Sequence, residues 1–286
     1  MPALMKGHRW RDHKHKMTYP AWVEIKYDEI RCDVRVSGGA VQFLSYAGKP
    51  LANMERFAPA FAELSECTGS THFDCGFEAN GSFNDSYRWV RSTKGLPADL
   101  EGVATRFILF DLPEYGALQF SDRSLLRHNV SIAALSVDEF GDTALVLPYG
   151  EWARSEADVD MMFEQARKHG FEGLMVKNMQ HLYDGGKRSY GWLKVKPEDD
   201  ADGVITAINQ AVAEDGSLHD WAGSVDIKCE DGSIASPHGI PHELGADMVA
   251  HPEKYIGQWA EFNYMERDRQ GGYRHPTWGR LREAKA

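Results

Sequence analysis

Between Trp22 and Lys177 the chain changes hydrophobic period several times, and no other feature narrows its fold as much. Runs in which every second residue is apolar, as in a strand with one covered face, alternate with a run repeating every third or fourth residue, as in a helix with one covered stripe. Trp22–Val36, Val41–Tyr46, Thr71–Ala79, Arg106–Asp111 and Thr143–Leu147 read as strands. The clearest helix starts at Ser155, an N-cap with Asp158 three residues on, carries Val159, Met162, Phe163 and Ala166 on one face, and stops at Gly170. That stripe is core packing. The interleaving predicts a mixed α/β or α+β domain.

The tail is patterned differently. After Lys196-Pro197 the acidic run Glu198-Asp199-Asp200-Ala201-Asp202-Gly203 has the composition of a linker. Beyond it Val204–Asn209, Ser224–Cys229 and Gln258–Met265 read as short strands with Gly-containing turns, and a small β-barrel accommodates them. The chain is therefore expected to divide near residue 198, into domains 1–198 and 199–286.

Composition limits the function classes. A chain of 286 residues exceeds one average domain, and 42% hydrophobic with 26% charged residues is a globular composition. It has no apolar run of the roughly 18 residues that a bilayer span needs, and its basic N-terminus lacks the apolar core of a secretion signal. A cytoplasmic location without membrane contact is expected, in a host cell if the chain is phage-encoded. Cys32, Cys67, Cys75 and Cys229 form no C-x-x-C pair, which argues against a zinc module and a disulfide framework. A net charge of −11 argues against nucleic acid unless cations are gathered locally. The first sixteen residues do gather them, with Lys6, Arg9, Arg11, Lys14 and Lys16 beside three histidines and one Asp. This segment is either a solvated terminus or a grip on a DNA backbone.

Five short segments carry chemistry. Glu24-Ile-Lys-Tyr-Asp-Glu-Ile-Arg31 brings Lys26, Asp28 and Arg31 together where a strand meets a turn. In Trp192-Leu193-Lys194-Val195-Lys196 the pleat sends Leu193 and Val195 to one face and both lysines to the other. Adjacent ammonium groups repel unless an anion lies between them, so the pair is either a phosphate clamp or an edge strand guarded against aggregation. Glu172 and Lys177 stand at opposite ends of an apolar strand. Phe107–Asp111 is a buried strand ending in an aromatic ring and a carboxylate, and Phe77-Glu78-Ala79 ends a strand with an acid. Each alone has a bland explanation: a solvated strand end, a core ring, a surface turn.

Taken in chain order, the segments resemble the nucleotidyltransferase motifs of ATP-dependent DNA ligases, particularly the compact phage-type enzymes. KYDEIR is similar to the family's K-x-D-G-x-R, FEANGSFN to its strand-ending acidic motif, FILFD to its aromatic-Asp motif, EGLMVK to E-G-x-x-x-K, and WLKVKP to its paired-lysine motif. Near the C-terminus RHPTW followed by RLREAK resembles the R-x-R-x-x-K close of ligase OB domains. The resemblance covers nearly the whole chain, and the ordered set is far more specific than any member.

The resemblance implies an α+β fold, with an adenylation domain of antiparallel sheets and helices followed by an OB-fold β-barrel. It implies an enzyme that carries AMP from ATP on Lys26 and seals nicked duplex DNA with Mg²⁺, acting as a monomer. Lys26, Asp28, Lys194 and Lys196 become catalytic. Phe110 stacks on adenine, Arg31 and Glu78 hold the ribose, Glu24 and Lys177 also face the nucleotide, and Arg280, Arg282 and Lys285 cover the pyrophosphate. Glu172, with Glu78, faces the metal. Lysine attacks only when neutral, and with an unperturbed pKa near ~10.4 Lys26 is expected to need Lys194, Lys196 and Mg²⁺ to disfavour its ammonium form. Two residues depart from the family: Glu29 replaces a glycine, placing a carboxylate beside a phosphate site unless it points outward, and Tyr46 stands where many ligases have a DNA-contacting Arg. The rival readings are an RNA ligase or capping guanylyltransferase, an NAD-dependent ligase, and a catalytically dead nick-binding module.

Overall fold

In a computed structural model that describes residues 3–282 apart from Glu214 and Arg269, the alternating runs become three five-stranded sheets. The chain forms two compact units, divided between Val195 and Lys196.

The strands of the first unit are β1 (Lys6–Arg9), β2 (Ala21–Lys26), β3 (Ile30–Ser37), β4 (Ala40–Leu44), β5 (His72–Ala79), β6 (Thr105–Asp111), β7 (Ala144–Val146), β8 (Gly150–Ala153), β9 (Gly173–Lys177) and β10 (Arg188–Val195). Its helices are α1 (Trp10–His13), α2 (Ala58–Thr68), α3 (Phe83–Arg91), α4 (Phe120–Ala134) and α5 (Glu156–Lys168). One sheet runs β1-β10-β9-β2-β8 and the other β4-β3-β5-β6-β7. Pairing is antiparallel except at β1–β10 and β6–β7.

Each sheet has an apolar back. In the first, Val23, Leu174, Val176, Leu193 and Val195 pack with Val159, Met162, Phe163 and Ala166 of α5. In the second, Val34, Phe73, Cys75, Phe77, Phe107 and Leu109 pack with Phe61 and Leu64 of α2, Trp89 of α3 and Val130 of α4. Full burial of each such side chain contributes ~1.5–3 kcal/mol, so these faces fix which side of each strand is left for the charged residues. The Ser155 hydroxyl caps α5 by accepting from the Asp158 N–H.

Three sequence expectations change. Trp22–Val36 is not one strand: β2 and β3 lie in different sheets, with Tyr27, Asp28 and Glu29 crossing between them. A strand covered on one face needs an apolar side chain at every second position, and Lys26–Glu29 supplies only the Tyr27 ring. The N-terminal segment is not a loose arm either. β1 pairs with β10, Leu4 and Met5 are buried, and the Met5 N–H donates to the Tyr183 hydroxyl at 2.9 Å. Trp10 and Met17, interleaved with the cations, anchor it in the core.

The third change concerns the acidic run. The second unit contains β11 (Asp199–Val212), β12 (Leu218–Cys229), β13 (Ile234–Ala235), α6 (His242–Ala250), β14 (Trp259–Tyr264) and β15 (Thr277–Arg282), with sheet order β13-β12-β11-β14-β15. Residues 199–203 are therefore strand, not linker, and pair with β14 from Asp199–Tyr264 to Gly203–Ala260. Ion pairing tolerates the acid there, since Arg282 donates to Asp202 at 2.8 Å. His238 forms isolated bridges to Ser224 of β12 and Thr277 of β15. Ile205, Val225, Ile227, Met248 and Phe262 fill its interior.

Among the described residues no helix is long and apolar enough to cross a membrane. The four thiols are free: Cys32, Cys75 and Cys229 are buried and Cys67 is exposed.

Candidate active site

The face of the first sheet opposite α5 carries the charged members of the motifs. Lys26 is the last residue of β2 and pairs with Gly173, so the antiparallel ladder brings Glu172, just ahead of β9, to its side chain. The Lys26 ammonium donates to Glu172 Oε2 and, at 3.3 Å, to the Tyr27 carbonyl. Their side chains are 18% and 5% exposed, so the pair is sheltered but reachable. Lys194 lies on the same face, yet it stands opposite Met175, which in turn stands opposite Glu24. That is two strand spacings, ~10 Å of backbone, from β2. Lys196 is the first residue of the second unit.

Carboxylates, not lysines, are thus the immediate neighbours of Lys26. Burial favours its neutral amine, but Glu29, Glu172 and Asp28 outweigh burial and raise its pKa above the ordinary lysine value. In the chain by itself the carboxylates therefore favour the ammonium form of Lys26.

Glu29 points inward. Its Cγ lies 2.2 Å from where a Cβ on Gly76 would stand, and the Phe110 Cζ lies 2.9 Å from the same point, so only glycine fits there. The Glu29 Oε2 is buried without a hydrogen-bond partner. Burial raises its carboxyl pKa, opposed by the charges of Lys26 and Arg31.

The facing surface of the second sheet is equally committed. Arg31 forks onto Asp74, with Nε and Nη2 each 2.5 Å from a carboxylate oxygen, and also donates to the Met5 carbonyl at 3.2 Å. Tyr183 donates to the same Asp74 at 2.7 Å. The Arg31 guanidinium lies 5.4 Å from the Phe110 ring centre. Glu78 accepts from Arg106 at 2.8 Å.

Glu24, two residues before Lys26 on the same face, is almost wholly buried. Its two oxygens lie 2.6 Å from Arg127 Nη2 and 2.6 Å from Lys177 Nζ. Burial, helped by the charge of Arg127 and opposed by Glu24, lowers the Lys177 pKa to about 8.

The structure thus gathers Lys26, Asp28, Glu29 and Glu172 at one strand end, and links Glu24 to the Phe110 carbonyl through both Arg127 and Lys177. Arg280 and Arg282 lie on β15 of the second unit, where both reach Glu261. Lys285 lies outside the described residues. Among the described residues, no group of three or more His, Cys, Asp or Glu is arranged to hold a metal.

The family described as the ATP dependent DNA ligase domain matches residues 86–196, a stretch containing Phe110, Glu172, Lys177, Lys194 and Lys196. The DNA ligase of Enterobacteria phage T3 is 33% identical over 150 residues, covering 47% of this chain and 42% of the phage enzyme. Over these stretches the chain is similar to ATP-dependent DNA ligases. The DNA ligase of Escherichia phage T7 is 26% identical over 165 residues, 46% of this chain and 45% of that one, so the chain spans less than half the length of either phage relative. A solved Lig E DNA ligase superposes with a TM-score of 0.72 at 19% identity, covering 99% of this chain and 100% of the other. The solved ATP complex of the bacteriophage T7 ligase gives a TM-score of 0.54 at 20% identity over 98% of both chains. At those identities the likeness is one of fold, and the fold class is the α+β one read from the motifs.

Sequence reading missed Arg127, Asp74 and Arg106 at this candidate site. One signal was present for Arg127: Phe120, Arg123, Arg127, Val130 and Ala134 follow the spacing of a buried helix stripe, and all five are buried. Arginines within an apolar stripe mark buried ion pairs.

Proposed function

We propose that the chain is an ATP-dependent DNA ligase that seals nicks in duplex DNA through AMP carried on Lys26. One observation supports this most: a sheltered lysine at a strand end, between the carboxylates of Glu172 and Glu29, with Glu29 reaching the aromatic ring of Phe110. A nucleotide with its base against Phe110 has its α-phosphate toward Lys26.

The chemistry begins with loss of a proton from Lys26 and its release from Glu172. The amine then attacks the α-phosphorus of ATP, an N–P bond forms, the α–β phosphoanhydride bond breaks, and pyrophosphate leaves. In the second step an oxygen of the DNA 5′-phosphate displaces Lys26 from AMP. In the third the 3′-OH attacks that 5′-phosphorus and AMP departs. Lys194 and Lys196 offset charge on the transferring phosphates, Asp28 assists the later transfers, and Arg31 and Glu78 hold the ribose. Arg280, Arg282 and Lys285 act on the pyrophosphate.

Mg²⁺ fits the donor set in one way: a hard cation held by one or two carboxylates and the phosphates of the substrate, with Glu172 foremost. Bound there it supplies positive charge at the α-phosphate. DNA contact is led by its backbone, with Arg9, Arg11, His15 and Lys16 exposed on the N-terminal segment, so affinity is independent of sequence and falls with salt. The enzyme acts as a monomer in the cytoplasm.

The test is a mass measurement paired with a joining assay. Incubated with ATP and Mg²⁺, the protein gains one AMP and joins a nicked duplex. Labelling from GTP alone, or labelling without joining, overturns the reading.

A further inference from the structure

Arg127 lies in α4, outside every motif, yet it reaches two parts of the site at once. Its Nη2 binds Glu24 Oε1 at 2.6 Å and its Nη1 donates to the Phe110 carbonyl at 2.9 Å. Lys177 duplicates the pattern, binding Glu24 Oε2 at 2.6 Å and the same carbonyl at 2.8 Å. Two cations and two acceptors thus form a closed square. It joins β2, which carries Lys26, to β6, which carries Phe110, and these strands belong to different sheets.

We propose that Arg127 is a positioning residue for the nucleotide base, holding the Phe110 ring at a fixed separation from the Lys26 strand. The assignment rests on the ATP reading of the cleft. A nucleotide has a set length from base to α-phosphate, so a site holding both ends needs two matched anchors. Glu24 stands two residues before Lys26 on the same strand face, and the bonded carbonyl belongs to Phe110 itself. Lys177 alone is a single point that leaves the platform able to pivot, whereas the planar fork of Arg127 fixes two directions. Phe120 backs the square, with the Arg127 guanidinium 5.3 Å and the Lys177 ammonium 4.7 Å from its ring centre. Glu24 is filled by these partners and by the Trp22 indole N–H at 3.1 Å, so its carboxylate serves the platform rather than the ligand.

The experiment measures KM for ATP and kcat in formation of the AMP adduct, with melting curves, for the parent, Arg127→Met and Arg127→Lys. A loss of base anchoring raises KM about tenfold in Arg127→Met and leaves kcat within about threefold, because binding shared by ground and transition states is what disappears. Arg127→Lys keeps the charge that Glu24 needs and loses the fork, so it falls between the two. A merely structural Arg127 lowers the melting temperature and the fraction of active protein with KM unchanged, and that result overturns the assignment. If Arg127→Met does not fold, Arg127→Lys decides alone, and a parental KM there overturns it. A parent that takes up no AMP overturns the nucleotide reading itself, and the assignment with it. A parent that charges normally beside variants of equal KM overturns only the role of Arg127.

Discussion

Two charged side chains on one face of β2, two residues apart, live under opposite rules. Glu24 is buried and bonded on both oxygens to partners from α4 and β9. Lys26 is half-buried, with an excess of carboxylates around it and one of them, Glu29, short of a hydrogen-bond partner. The first arrangement resists change, because taking any member away strands a charge in a dry site. The second invites change, because a phosphate and a cation can replace the contacts it gives up. The strand therefore places a rigid reference point just behind the lysine proposed to react.

Substitution at the two positions should separate chemistry from stability. Lys26→Ala should abolish the AMP adduct by mass spectrometry, at a cost in stability of ~1–3 kcal/mol, since Glu172 loses its partner where its side chain is only 5% exposed. An adduct on that variant would mean another residue carries the AMP. Glu24→Ala should do the reverse to the fold, costing ~3–5 kcal/mol in denaturant unfolding, since Lys177 and Arg127 are left facing each other without an anion. A loss no larger than that of Lys26→Ala would erase the contrast.

A titration reads the same square more gently. Lys177 has a pKa of about 8 in the folded chain against 10.5 in its ordinary state. Between those values the unfolded chain keeps a proton that the folded chain has released, so stability rises with pH across that window, by ~1–3 kcal/mol. Unfolding curves measured through the window for the parent and Lys177→Met should differ in slope, and parallel curves would place the ionisation elsewhere. The smallest expected effect is at Glu29. Glu29→Gly removes a carboxylate from beside Lys26 and clears the surface over Gly76, so KM for ATP should fall by about threefold to tenfold, ~1 kcal/mol. A higher KM would show that this carboxyl helps to hold the nucleotide.

The legible part of the molecule was the part governed by period. Helix α5 runs from Glu156 after a Ser155 cap, as its stripe and cap dictated, and Leu193 and Val195 are buried while Lys194 shares the face of Trp192. What period cannot report is which sheet a strand joins: the turn after Lys26 could be placed from the sequence, but not the passage of the chain at Tyr27–Glu29 from one sheet to the other. Composition misled at Asp199–Gly203, where cross-strand pairing and Arg282 make room for acids in a strand. At the site, the motif lysines and acids could be named from sequence, but not their pairing. Glu172 bound to Lys26, Arg31 bound to Asp74 and Glu78 bound to Arg106 are contacts between residues 28–146 positions apart, and only the folded chain has them.

The crossing at Tyr27–Glu29 has a mechanical meaning. The four steps from Lys26 to Ile30 reach at most ~14 Å, so next to Lys26 the two sheets are bound like pages at a spine, and any parting to admit a ligand must open along the far margins. Lengthening that spine by one residue would leave both apolar backs intact and still shift the Lys26 amine against the Phe110 ring.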